Sequence, residues 1–305
     1  MSERPTPPSP LIFDRRMLRT RRRRAAAALK PATFLLDRVA GDLADRLTAV
    51  QRRFDLALDL GTPGEAVRTA LHDVASVGTI VAAAFPECGA SRAAPFVVAD
   101  EEALPFRDAA LDLVVSTLAL QFVNDLPGTL VQIRRALKPD GLFLAALVGG
   151  ETLTELRQSF AAAESETTGG ISPRVAPFAD VRDLGALLQR AQFALPVTDR
   201  DRVTVRYDSA FALMHDLRRM GSTNVLIDRL RRPLWRTTLM RMAEIYRERF
   251  ADPDGRVRAT FEIVWLSGWA PHASQQQPLK PGSAAARLAD ALGTREISTG
   301  VKAGD

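Results

Sequence analysis

The chain is 305 residues long, enough for one large domain or one domain with substantial additions. Hydrophobic residues at 46% and charged residues at 25% fit an ordinary globular protein, and a single cysteine, Cys88, excludes an intrachain disulfide and any thiolate zinc site. The net charge of +5 is uneven: residues 1–30 hold nine Lys and Arg against two acids and carry +7, which leaves the rest at −2 and excludes a basic nucleic-acid groove on the body.

Residues 1–12 read as a Pro-rich disordered leader, and 13–50 as basic N-terminal helices. The first spans Phe13 to about Leu29. The second shows helical spacing at Phe34, Leu35, Val39, Leu43 and Leu47. The opening lacks the basic-then-apolar order of a secretory signal. Pro5, Pro7, Pro8 and Pro10 argue against an amphipathic presequence, so a cytoplasmic bacterial protein is expected. No apolar run reaches ~18 residues, so no transmembrane segment is expected.

From residue 51 the texture changes. Phe54–Leu58 reads as a buried strand that enters a glycine turn at Asp59-Leu60-Gly61. A helix over 65–74 and strands at 79–83, 96–98 and 111–116 follow. A helix over 127–137 is closed by a Lys138-Pro139-Asp140-Gly141 turn, and a strand runs over 142–148. Strand and helix alternate with short links, the signature of a doubly wound, mostly parallel α/β sheet. Beyond Gly150 come helices over 152–167 and 180–191, a strand over 197–207, largely helical sequence over 209–250 with strong signals over 210–220 and 234–250, and a last strand over 260–267. That makes seven strands. The expected core domain is 51–270, with a helical lid insertion at about 207–255, and 271–305 forms a flexible tail.

In such a sheet ligands meet the carboxyl ends of the strands. Asp59, beside the turn, suits a cationic amino-acid group, and Asp100, after the third strand, can accept from an exocyclic amine. Three histidines far apart in sequence give no metal-ligand spacing, so no metal is expected.

In order, Asp59-Leu60-Gly61, Asp100 to Phe106, Leu111 to Ser116 and Leu137 to Gly141 resemble the class I S-adenosylmethionine-dependent methyltransferases. A resemblance over nearly the whole chain rests on Phe13-Asp14-Arg15, Ala99-Asp100-Glu101-Glu102, Val123 to Pro127, Gly149 to Leu153, Ser172-Pro173, Met220-Gly221 and Gly282-Ser283-Ala284. These look like the mitochondrial complex I assembly factor 5 family, described as a protein-arginine hydroxylase on a methyltransferase fold. More distantly the chain is similar to the malonyl-carrier-protein methyltransferase of biotin synthesis.

The resemblance implies a class I methyltransferase fold. It implies S-adenosylmethionine as cofactor, held by Asp59, Gly61, Gly64, Asp100, Glu101 and Ser116, and a respiratory quinone-reductase subunit as substrate or client. Three positions depart from the pattern. Pro63 and Glu65 stand at the second and third glycine positions of the turn, and the second strand ends in Ala82-Ala83-Ala84-Phe85 without an acid, Glu87 being the nearest. Gln121 stands where the family has His after the fourth strand. These departures argue against a retained cofactor, and a cofactor-independent assembly chaperone on the same fold is the rival reading. No catalytic residue is assigned; Gln121 and Glu151 are candidates. A carboxylate at Glu151 could meet a guanidinium, and its competing reading is an acid at a helix start. The arginines of 15–24 are read as a docking or latch element.

Overall fold

The computed structural model describes residues 11–26, 32–86, 95–276, 290 and 292–295. Glu87, Cys88 and most of the expected leader lie outside them. The chain divides into two compact units, Met1–Pro271 and His272–Asp305. In the second, the described residues include a turn in which the His272 N–H donates to the Gln275 side chain at 3.1 Å.

In the first unit, α1 (Arg15–Ala26) and α2 (Phe34–Thr48) precede β1 (Phe54–Leu60), α3 (Ala66–Leu71), β2 (Val77–Ala84), β3 (Phe96–Val98) and β4 (Leu111–Thr117). Then come α4 (Leu126–Ala136), β5 (Leu137–Val148), α5 (Thr154–Thr168), α6 (Val181–Arg190) and β6 (Ala194–Tyr207). The unit ends with α7 (Ala210–Arg219), α8 (Arg236–Phe250) and β7 (Val257–Trp269). The seven strands lie in the order β3-β2-β1-β4-β5-β7-β6. The first five pair in parallel, and β7 runs antiparallel to both β5 and β6.

Period-two alternation sorts the apolar side chains onto two faces. Ala57, Leu113, Val115, Leu144 and Phe261 pack beneath α2, α5, α7 and α8. Leu58, Leu60, Val114, Phe143 and Val264 face α4 and α6. Both layers are buried, which is why the central strands read as continuous apolar runs. Each buried leucine contributes about 2 kcal/mol of transfer free energy.

Two segments differ from expectation. Lys138 to Gly141 continues β5 as a bulge, with Leu111 opposite Leu137 but Leu113 opposite Leu142. Asp140 takes φ 63° there and pairs with Arg52. A short polar side chain tolerates the left-handed region, so the strand continues where a terminating turn is expected. Residues 221–235 are not helical. Gly221, at φ 69°, ends α7, and a Cβ on it would lie 3.2 Å from Arg22 Cα. Only glycine lets α1 approach this closely.

A third apolar cluster joins Phe13 and Leu18 to Phe122, Ala176, Val225 and Leu226. Phe13 meets the Phe122 ring edge-on at 5.7 Å. Ile12, although it falls in the expected leader and keeps an exposed side chain, is tied beside this seam through its backbone. Its N–H donates to Asn124 Oδ1 (2.9 Å) and its carbonyl accepts from Ile227 (2.9 Å). The N-terminal helix is thereby fixed across the carboxyl edge of the sheet.

Candidate functional site

The strand β1 delivers Asp59 to the interior. Its side chain is 2% exposed, and Oδ1 has no hydrogen-bond partner. Burial pushes the carboxyl up from 3.8 to about 7, opposed by a Thr62 hydrogen bond and the Arg68 charge. A buried, unsatisfied carboxylate oxygen behind a glycine turn is an acceptor waiting for a donor.

The turn holds Gly61 and Gly64 at φ 71°. Thr62 Oγ1 accepts from the Thr117 N–H at 3.1 Å, which ties the turn to β4. Glu65 does not reach the cavity beside the turn. It pairs with Arg68, one turn on, at 3.4 Å and stays half-exposed. Pro63 does line that cavity. Ser116 lies at the same strand ends, but its hydroxyl donates to the Leu60 carbonyl at 2.7 Å. That hydrogen bond ties β4 to β1.

The acidic loop after β3 is clamped from two sides. From α4, Gln132 accepts from the Leu104 N–H (2.9 Å) and donates to the Glu102 carbonyl (2.8 Å). From α1, Arg15 donates to Asp100 at 2.6 Å and to Glu101, and lies 3.4 Å from Glu102. Arg22 approaches Glu101 at 3.8 Å. The arginine arm is thus an intramolecular latch, with Arg19 also stacked on the Phe85 ring at 4.0 Å. Glu101 is 3% exposed, and a Cβ built on Gly61 would sit 2.8 Å from its Oε1. Asp100, Glu101 and the turn therefore come together, and Glu101 packs directly on Gly61. We expect Gly61→Ala to destabilise the protein by about 2 kcal/mol, from backbone strain plus this contact. Gly169→Ala, with the same φ and nothing within 4 Å, has only the strain. Parallel thermal denaturation of the two variants checks the difference.

An apolar cavity of about 80 Å³ opens beside the turn, walled by Pro63, Leu118, Gln121, Phe122, Thr152 and Leu153 and roofed by α2 and α7. A chamber of about 220 Å³ shares Phe122, Leu153, Phe178, Leu217 and Ser222 with it. Leu118 and Leu153 adopt φ 51° and 56°. Left-handed leucines are strained by about 1–3 kcal/mol each, and such strain gathers at functional sites. Gln121 lies in a single 3-10 turn, and its Oε1 is buried without a partner. It is the cavity wall's unsatisfied acceptor among the described residues.

Glu151 is elsewhere. Its carboxylate is 54% exposed and pairs with Arg202 at 3.2 Å, while its N–H donates to Glu262. Glu262 packs where a side chain on Gly149 would lie, so Gly149 serves a close strand crossing. Glu151 thus precedes α5 without capping it, the acid of that helix's first turn being Glu155. Sequence reasoning missed Leu118, Leu153 and Phe122. No local pattern marks the two strained leucines, whereas Phe122 beside Gln121 was available as a signal.

Residues 58–145 match the family described as "Methyltransferase domain". The chain is 42% identical over 281 residues to the human protein "Arginine-hydroxylase NDUFAF5, mitochondrial", covering 90% of this chain and 81% of that one. The chain belongs to the NDUFAF5 family. It is also 38% identical over 192 residues to the malonyl-[acyl-carrier protein] O-methyltransferase of Laribacter hongkongensis, covering 63% of this chain and 62% of that one. A crystal structure of a putative methyltransferase from Bacillus halodurans superposes with a TM-score of 0.51 at 16% identity, over 75% of this chain and 97% of that one. The fold is therefore that of class I methyltransferases, as its motif order implied.

One expectation is corrected. Cytoplasmic bacterial residence conflicts with the mitochondrial NDUFAF5 relatives. That expectation rested on prolines in the opening segment, whereas an address is carried by segment composition and not by the fold.

Proposed function

We propose that this member of the NDUFAF5 family binds S-adenosylmethionine at the β1 turn and modifies a protein side chain. The family likeness points to an arginine, on a subunit of a respiratory quinone reductase. The orphaned buried oxygen of Asp59 carries the reading. It suits an ammonium group, and the left-handed Gly61 and Gly64 shape the turn that carries it past the end of β1. In the loop after β3, Asp100 suits an exocyclic amine, once Arg15 releases it. The residues present therefore fit the two ends of the cofactor.

Bound there, S-adenosylmethionine would supply an electrophilic methyl group. The chain's own part is positioning and exclusion of water. Apolar walls keep the cavity dry, and Gln121 Oε1 can accept from an entering N–H donor, which orients it. Asp59 offers charge to a cationic donor, and Pro63 stiffens the turn at fixed φ.

A second reading has its own support. The end of β2 offers no acid, Ala83 and Ala84 are buried, and the Phe85 ring lies under Arg19. These features favour a cofactor-independent assembly chaperone. Co-expression with the subunits of a bacterial quinone reductase, followed by intact-protein mass spectrometry, separates the two. A methyl or hydroxyl increment on one subunit, absent in the Gln121→Ala or Asp59→Asn background, supports modification. Stable capture of an unmodified subunit supports the chaperone.

A further inference from the structure

Residues 228–236 read Asp-Arg-Leu-Arg-Arg-Pro-Leu-Trp-Arg, a run in which apolar side chains alternate with arginines. The run enters α8, so its backbone donors and acceptors are not committed to a strand partner. Trp235 is 62% exposed and Leu230 36%, and Ile171, from the loop after α5, is 68% exposed. The three border one notch of about 200 Å³. Large apolar side chains facing water around a concavity mark an interaction site rather than scattered surface residues.

Charge sharpens the reading. The floor of the notch holds Glu164, but that carboxylate is satisfied. It accepts from Ser172 N and Oγ and from Arg174, and these partners hold it below the usual carboxylate range against the opposing effect of burial. The floor therefore presents no free negative charge. Arg232 lines the notch, Arg231 and Arg236 stand beside it in sequence, and all three are exposed with no side-chain ion pair or hydrogen bond to a described residue. By contrast, Arg206 bridges to Asp252 and Asp254, and Arg241 to Glu166, Glu244 and Glu248. A tryptophan, a leucine and an unpaired arginine lining one pocket, with two further exposed arginines next to them in the chain, form the composition of a binding hot spot.

We propose that the notch at Ile171, Leu230 and Trp235 docks an acidic protein segment that inserts one apolar side chain between flanking carboxylates. The arginines steer the segment and fix its register, while the tryptophan and leucine provide the buried contact. A concave notch suits an inserted side chain. A lipid surface would leave it unfilled and would prefer a convex apolar ridge. The surface is independent of the cofactor reading, since none of its residues lines the cavity beside the β1 turn.

The test uses the full chain and a fluorescent synthetic peptide of Glu and Asp with a single central Leu, read by anisotropy. Saturable binding is expected. It should weaken at least about tenfold with Trp235→Ala and with Arg232→Glu, hot-spot losses for an anchor and its charge partner. It should weaken with added salt, and with a central Ser in place of Leu. Circular dichroism checks that the variants keep the fold. The proposal is overturned if the peptide does not saturate, if the two variants bind as the parent does, or if the Ser peptide binds equally well. It is also overturned if phosphatidylserine vesicles capture the chain through Trp235 while the peptide does not bind.

Discussion

Replacing Asp59 with asparagine is expected to flatten the pH dependence of stability between about pH 4 and pH 7. In the folded state burial raises the Asp59 carboxyl from 3.8 to about 7. The folded protein therefore holds this proton more tightly than the unfolded chain does. The favourable contribution is fully present below the unfolded value and is lost as pH rises through the folded one. Over that window the parent should lose a few kcal/mol relative to the asparagine variant. Glu164, Asp14 and Asp199 are shifted the other way, each held down by hydrogen bonds or arginine charge. Their contributions are present above the unfolded carboxylate range and fail as pH falls toward their lowered folded values, a separate window. Urea titrations of both proteins across the range isolate the Asp59 effect. Parallel stability curves for parent and variant would mean that the carboxylate is not held neutral by burial.

Arg15→Ala is expected to destabilise the protein by about 3 kcal/mol, the loss typical when one partner of a buried ion pair is removed. Arg15 holds Asp100, Glu101 and Glu102 together, and Glu101 is left with Arg22 at 3.8 Å. Because a stranded charge carries most of that penalty, the double variant Arg15→Ala, Glu101→Gln should recover part of the loss. By contrast, Arg38→Ala, which breaks an exposed pair with Asp201, should move stability by less than about 1 kcal/mol. Equal small effects at Arg15 and Arg38 would show that α1 is held by its apolar seam alone.

Much of the fold was legible in the sequence because central strands buried on both faces read as unbroken apolar runs. Helix α2 was legible from its heptad-like spacing. The bulge in β5 was not, since Lys-Pro-Asp-Gly carries a strong turn signal, and only the neighbouring strands reveal that the chain continues. The end of α7 near Met220 was legible from its helical signal, but the reason for Gly221 was not, since it lies two hundred residues away in the close approach of Arg22.

At the site, Asp59 and Asp100 could be named from the turn and the strand order. What holds them could not: Thr62, Arg68 and Arg15 converge through tertiary packing. Ser116 and Glu151 look the same in sequence whether they face a ligand, a carbonyl or an arginine. The charge split did point to a latch. Its target, the three acids after β3, became visible only when α1 and β3 met at one sheet edge.

The central claim is that the β1 turn still holds S-adenosylmethionine despite Pro63 and the acid-free end of β2. Isothermal titration of the full chain with S-adenosylmethionine, run at about pH 6, 7 and 8 in two buffers of different protonation enthalpy, tests it directly. The account predicts saturable binding that tightens as pH rises through about 7, with a proton released where Asp59 is still partly protonated. Asp59→Asn should bind about 30-fold more weakly or worse, the penalty for losing a buried charge partner. Absence of binding up to millimolar cofactor in both proteins would contradict the account and leave the methyltransferase fold as a scaffold for client contact alone.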